Sequence, residues 1–250
     1  MGLIQTRGWV LRHYDFGETS RIVVFLTETA GKLKGMVKGA RPRQGRGAGL
    51  LEPLTLVELT CYRKAGRELD LVRACDPVPG QPRLPADLEA LAIRSYFAEL
   101  VDRFFQEGDP IPAGFRLLGE TAQALAAGAP VPALARYVEY WLLRLQGVYP
   151  DHRRCPGCGA EPSDRLRFHR ETGQFVCRAC AGRGARPLPP ETGAFLTFCA
   201  GQPPTALAAS PGPPAVWARL EGVHRHLVET FLGTGLKSYR VLAQLAQAPS

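Results

Sequence analysis

Four prolines fall within ten residues, DPVPGQPRLP at 76–85. Proline fixes φ and carries no amide hydrogen, so such a run neither extends a sheet nor lies inside a helix. The hydrophobic period changes across it. Upstream the chain alternates with period two, as strands do; downstream it repeats with the helical period. The break therefore points to a β unit followed by an α unit. At 250 residues the chain has room for two compact domains, or one with an insertion.

Upstream, five segments are rich in β-branched and aromatic residues: WVLRHY (9–14), RIVVFL (21–26), KLKGMVK (32–38), TLVELTCY (55–62) and ELDLVR (68–73). DFGETS, TETAGK and RKAGRE separate them, each with the glycine that hairpins favour. The longest connection, 39–54, joins the third strand to the fourth. This arrangement matches a five-stranded Greek-key barrel of the oligonucleotide-binding (OB) type, a pattern it shares with other small antiparallel barrels and half-sandwiches. Downstream, helices are predicted over 86–108, 114–128, 131–147, 189–199, 214–233 and 236–247. Stripes such as Trp141, Leu142, Leu145 and Trp217, Leu220, Leu227 read as core.

Charge is unevenly spread. Residues 1–80 carry 13 basic and 8 acidic side chains, or +5, and residues 151–186 carry 8 and 4, or +4. Between them, 81–150 carry 6 and 8, or −2. Cationic blocks suit a polyanion, because neutralising phosphates releases counterions. The densest block is GKLKGMVKGARPRQGRG (31–47), with six cations and no acid. Strand alternation puts Lys32, Lys34 and Lys38 on one exposed face, and Arg41, Arg43 and Arg46 follow in a glycine-rich loop. These six are the candidate DNA contacts. The competing reading is a solvated edge strand that lysines guard against aggregation. Further cations in the same unit (Arg7, Arg12, Arg21, Arg63, Lys64, Arg67, Arg73) favour binding, and Tyr14, Phe16 and Tyr62 are candidate stacking aromatics.

CPGC at 155–158 and CRAC at 177–180 form a CxxC–x18–CxxC arrangement. Cys155, Cys158, Cys177 and Cys180 thus have the spacing of a tetrahedral zinc site, with Gly157 and Gly159 easing the first turn. Four thiolates fill the coordination shell, so one structural zinc ion is expected, with no open catalytic position. Metal-free thiols or an iron–sulfur site are the alternatives. An odd count of seven cysteines and the lack of a signal-peptide pattern point to the cytoplasm. The start MGLIQT matches the letters of a myristoylation motif but reads better as the approach to a strand. There is no GxxxxGK[ST] phosphate loop, HExxH or nucleophile elbow, so a binding protein is expected rather than an enzyme.

The stretch GWVLRHYDFGETSRIVVFLTETAGKLKGMVKGAR, followed by LLEPLTLVELTCYRKAGREL, resembles the opening domain of the bacterial recombination mediator family RecO. The match runs through residues 6–75. KGAR at 38–41 and LEPLTLVEL are its most specific parts, and LKSYRVL resembles the family's closing helix. The CxxC pairs resemble those of its zinc-bearing members. The resemblance implies an α+β multi-domain chain: an OB barrel over 1–80, a helical domain over 81–150 and 187–250, and a four-cysteine zinc insertion over 151–186. It also implies binding of single- and double-stranded DNA, annealing of complementary strands without ATP, and partnership with RecR and single-stranded-DNA-binding protein to help load RecA. Lys38 and Arg41 are the carried-over DNA contacts, followed by Lys32 and Lys34. Nucleoid association in the cytoplasm goes with this. The alternative is a basic adaptor whose barrel docks an acidic protein, with DNA contact incidental.

Overall fold

Five strands close into a barrel in the N-terminal part of this computed structural model, which describes residues 2–40, 49–63, 69–108, 110–162 and 166–245. They are β1 (Gly2–Phe16), β2 (Ser20–Thr27), β3 (Gly31–Val37), β4 (Leu56–Arg63) and β5 (Asp70–Pro77), joined in the order β1-β2-β3-β5-β4. Only the β3–β5 pair is parallel. Closure relies on the 15-residue β1, whose first half pairs with β4 and second half with β2. Gly8 belongs to both ladders, and a Cβ there would lie 2.7 Å from Leu59 Cδ1. At the β3–β5 seam a Cβ on Gly35 would lie 2.5 Å from Val72 Cγ2. At both glycines a Cβ would have to displace a neighbouring side chain in a filled interior built on Val10, Val23, Phe25, Leu33 and Val57.

The helices are α1 (Leu88–Phe104), α2 (Pro112–Ala126), α3 (Val131–Leu145), α4 (Thr192–Gly201), α5 (Pro214–Leu232) and α6 (Lys237–Leu245). Three short strands, β6 (Arg167–His169), β7 (Gln174–Val176) and β8 (Ala185–Pro187), form a sheet in the order β7-β6-β8. The chain divides into two compact units, Met1–Ala122 with Leu236–Ser250, and Gln123–Gly235. The proline run at 76–85 thus marks the change from strands to helices, while the first compact unit takes in α1 and α6 as well as the barrel.

In that first unit α1 starts where the proline run ends, its first turn capped by Asp87, which accepts from the Ala90 N–H at 2.9 Å. Buried Arg94 on α1 donates to the carbonyl of Pro53 and the hydroxyl of Thr55, both at 2.9 Å. Between those residues Leu54 is held at φ 61, a costly conformation for leucine that its N–H to Val10 O bond (2.8 Å) and the Arg94 clamp maintain. The LEPLT segment is thereby fixed against the barrel. The Glu99 carboxylate, also on α1, accepts the N–H groups of Lys237 (2.9 Å) and Ser238 (2.8 Å) and so caps the start of α6.

In the second unit α3 and α5 pack through Leu134, Val138, Leu142, Leu220 and Val228, all fully buried. A polar chain runs through this core. Arg136 donates to Glu139 Oε1 at 2.9 Å, Glu139 Oε2 lies 3.1 Å from His224 Nδ1, and His224 Nε2 lies 2.9 Å from the Tyr149 hydroxyl. Burial pushes the His224 pKa down and the Tyr149 pKa up, so both are neutral. A neutral imidazole that donates from Nδ1 to Glu139 and accepts the Tyr149 proton at Nε2 satisfies His224 and Tyr149, while the Arg136 Nε atom makes no hydrogen bond among the described residues. The Tyr149 ring meets Phe175 of β7 at 5.9 Å, and Phe175 meets Phe168 of β6 at 5.5 Å. A turn at Thr172–Gly173 joins β6 to β7, with Gly173 at φ 65. None of the three strands shows alternation in the sequence, since each has only three residues.

Candidate nucleic-acid interface and metal centre

The alternation expected along β3 holds, with Leu33 and Gly35 buried in the barrel and the lysines directed away from it. The exposure expected of Lys32 does not. Its side chain is only 10% exposed, and its ammonium donates to Asp102 Oδ1 at 3.0 Å and to the Asp102 carbonyl at 2.7 Å. Arg12 of β1 meets the other oxygen of the same carboxylate at 2.8 Å. The last turn of α1 therefore lies over this part of the β3 face, and Lys32 fastens it there. Lys34 is more open, at 36% exposure, and pairs with Glu107 at 2.7 Å.

Lys38 follows the end of β3, is exposed, and makes no ion pair among the described residues. Arg41, Arg43 and Arg46 lie outside the described residues, as do Lys64 and Arg67. The other cations cited for the barrel are mostly matched. Arg7 grips Glu28 with two bonds (2.9 and 2.7 Å), which holds the Glu28 carboxyl below its usual range. Arg21 meets Asp15 and Arg63 meets Asp70, each at 3.2 Å. Arg73 donates to the Tyr62 hydroxyl at 3.1 Å.

The ladders gather the rest at one end of the barrel. Val37 pairs with Arg21, Arg21 with Asp15, and Ser20 with Phe16, so the exposed rings of Tyr14 and Phe16 stand at the β-sheet end from which Lys38 and the 39–48 segment depart. An exposed cation and the exposed Phe16 ring at one sheet end can track a phosphate backbone and stack on a base, while the Tyr14 ring already carries the Arg12 guanidinium over one face at 5.2 Å. Sequence reasoning missed Asp102, the carboxylate that decides which lysines remain open. Its one signal was an acid set among the apolar residues Leu100, Val101 and Phe104.

Cys155, Cys158, Cys177 and Cys180 come together, with all four sulfurs within 4.8 Å of one another. Cys158 Sγ and Cys177 Sγ are 3.7 Å apart, close to the edge of about 3.8 Å that Zn–S bonds of about 2.3 Å impose on a tetrahedron. A Cβ on Gly157 would stand 3.1 Å from Cys180 Sγ, so the first knuckle is tightly packed on the second. The Gly159 N–H closes the turn on the Cys155 carbonyl at 2.8 Å. The backbone N–H of Cys177 and those of Gly157 and Cys158 hold the Cys155 thiol down at about 6, while its own hydrogen bonding to Cys158, Cys177 and Cys155 pushes the Cys180 thiol up to about 12. A divalent ion would offset that mutual repulsion, so the four residues fit a zinc site. His152 and His169 stand outside this sulfur cluster: His152 packs its ring on Phe175, and His169 Nδ1 accepts from the Thr172 N–H.

Family comparisons agree with this geometry. Residues 1–80 match the family model described as Recombination protein O N terminal, and residues 85–240 match Recombination protein O C terminal. The protein is similar to the DNA repair protein RecO of Anaeromyxobacter sp. (strain K), with 33% identity over 98% of both chains. It is 35% identical to that of Geobacter sulfurreducens, over 79% of this chain and 81% of the relative. It is 37% identical to that of Desulforudis audaxviator, over 73% of each.

Proposed function

The chain belongs to the recombination protein O family of DNA repair proteins, and from that premise we propose that it is a mediator of repair and homologous recombination, binding single- and double-stranded DNA and annealing complementary strands. Its partners in this reading are RecR and single-stranded-DNA-binding protein, with which it helps load RecA. The observation that carries the reading is the exposed Lys38 at the end of β3, where the chain enters the acid-free arginine run of 41–46. Lys38, Arg41, Arg43 and Arg46 hold phosphates, with Lys34 at the margin and Tyr14 and Phe16 offering stacking faces. Lys32 serves from behind by fastening α1. Neutralising two phosphate backbones lowers the repulsion between complements, so annealing needs neither ATP nor a catalytic group. Cys155, Cys158, Cys177 and Cys180 hold one zinc ion in a structural role. The protein acts in the cytoplasm, on the nucleoid. A strand-annealing assay over a salt series, with and without single-stranded-DNA-binding protein, tests this: annealing of coated strands that fades as salt rises supports it. Retention on an acidic partner protein with no DNA binding at physiological salt would instead favour the adaptor reading.

A further inference from the structure

Among the described residues, no arginine of 151–186 secures the cysteine-bearing segment by an ion pair. Phe175, fully buried, secures it from β7 through its ring contacts with Tyr149, Phe168 and His152. The arginines are left for another task. Arg170 and Arg186, joined by Arg219 of α5, line a cleft of about 230 Å³ floored by Phe168, Leu188 and Val223. All three arginines are exposed, none makes an ion pair among the described residues, and no acid lines the cleft. Arg219 Nε donates to the Pro187 carbonyl at 3.3 Å, and His226 Nε2 sits 2.9 Å from the Arg170 carbonyl, which fixes the cleft wall. In the barrel unit, by contrast, Arg7, Arg12, Arg21 and Arg63 each meet a carboxylate. Three unmatched guanidiniums around one recess repel one another unless an anion enters.

We propose that this cleft binds the phosphate backbone of DNA, giving the second compact unit its own nucleic-acid contact. The inference rests on the DNA-binding reading and extends it. Guanidinium forks match phosphate oxygens in pairs, and successive phosphates along a strand offer charge to all three arginines, whereas one carboxylate engages one fork. The recess is smaller than the roughly 300 Å³ at which ligand pockets usually begin, so it admits a phosphate and the edge of a sugar rather than a base. Phe168 is 5% exposed, with the His226 ring 6.0 Å away, so no base stacks on it. The contact is therefore indifferent to sequence.

The test uses the full chain carrying Arg170→Ser and Arg186→Ser, whose side chains make no hydrogen bond among the described residues. Anisotropy of labelled single-stranded oligonucleotides across a sodium chloride series should give a log K against log salt slope shallower by about 1.4, at roughly 0.7 per lost phosphate contact. Homopolymer and mixed sequences should lose alike. An unchanged slope overturns the inference. Should Lys38→Glu with Arg41→Glu flatten the slope while this pair does not, the cleft is wrong and the DNA-binding reading stands; a wild-type chain with no DNA affinity sinks both. Loss of binding to a labelled poly-glutamate peptide, with the DNA slope intact, overturns it in favour of an acidic protein. Phenylglyoxal modification of the wild-type chain, mapped by mass spectrometry, is independent of folding in the variant: DNA should shield Arg170, Arg186 and Arg219, and equal labelling with and without DNA contradicts the proposal.

Discussion

Replacing Lys32 by methionine separates two readings of the same residue. The charge pattern makes Lys32 a DNA contact; the structure makes it the partner of a buried carboxylate. Asp102 is 5% exposed at its side chain and meets Lys32 at 3.0 Å and Arg12 at 2.8 Å. Removing one partner of a buried ion pair costs about 3–5 kcal/mol when the remaining charge is stranded. Arg12 stays, but its side chain is 47% exposed and solvent screens its help, so Lys32→Met should cost about 2–3 kcal/mol. Adding Asp102→Asn removes the stranded charge and should restore part of that loss, with a coupling of about 1–3 kcal/mol in the double-mutant cycle. Urea unfolding reads both as shifts of the midpoint at constant m-value. In the same samples the salt dependence of single-strand binding should match wild type. A Lys32→Met protein that keeps its unfolding midpoint yet loses about 0.7 of the salt slope would refute the argument and return Lys32 to the DNA surface.

Glu99→Ala removes the side chain that caps α6 and should lower stability by about 1–2 kcal/mol, seen as a lower Tm with an unaltered salt slope; an unchanged Tm would show that the cap is idle. His224 is buried with a lowered pKa, so below about pH 6.5 the unfolded chain takes up a proton that the folded one refuses. Stability should therefore fall as pH drops through that window, and His224→Gln should flatten the dependence while lowering the plateau. Equal pH slopes in the two proteins would argue against a neutral buried imidazole. Cys177→Ser should abolish zinc retention and open residues 151–187 to trypsin while barrel-mediated DNA binding persists; full zinc content by elemental analysis would contradict the four-thiolate assignment.

The elements legible in the sequence are those whose signals are local. Strands with period-two alternation, hairpin glycines and the proline run at 76–85 located β2, β3, β4 and the start of α1 to within two residues and β5 to within four, but missed the first seven residues of β1. The cysteine cluster was legible for the same reason, because two CxxC turns need only fold back once to meet. What the sequence hid depends on distant partners. Lys32 and Asp102 are 70 positions apart, and Glu99 caps a helix 138 positions later. Counting cations along β3 therefore overstated the open charge, since no local pattern says which carboxylate will fold onto which lysine. The +4 block of 151–186 was legible as charge, but Phe175 reads only as one apolar residue in a three-residue strand, so the aromatic anchor beneath it was not.

The central claim, that DNA is gripped by charge at the open end of β3 and the segment after it, is tested most directly by Lys38→Glu with Arg41→Glu. Binding of a labelled single strand should weaken, and the log K against log salt plot should flatten by about 1.4, at roughly 0.7 per contact, with the Tm unchanged. Wild-type affinity and slope in a folded double variant would contradict the account.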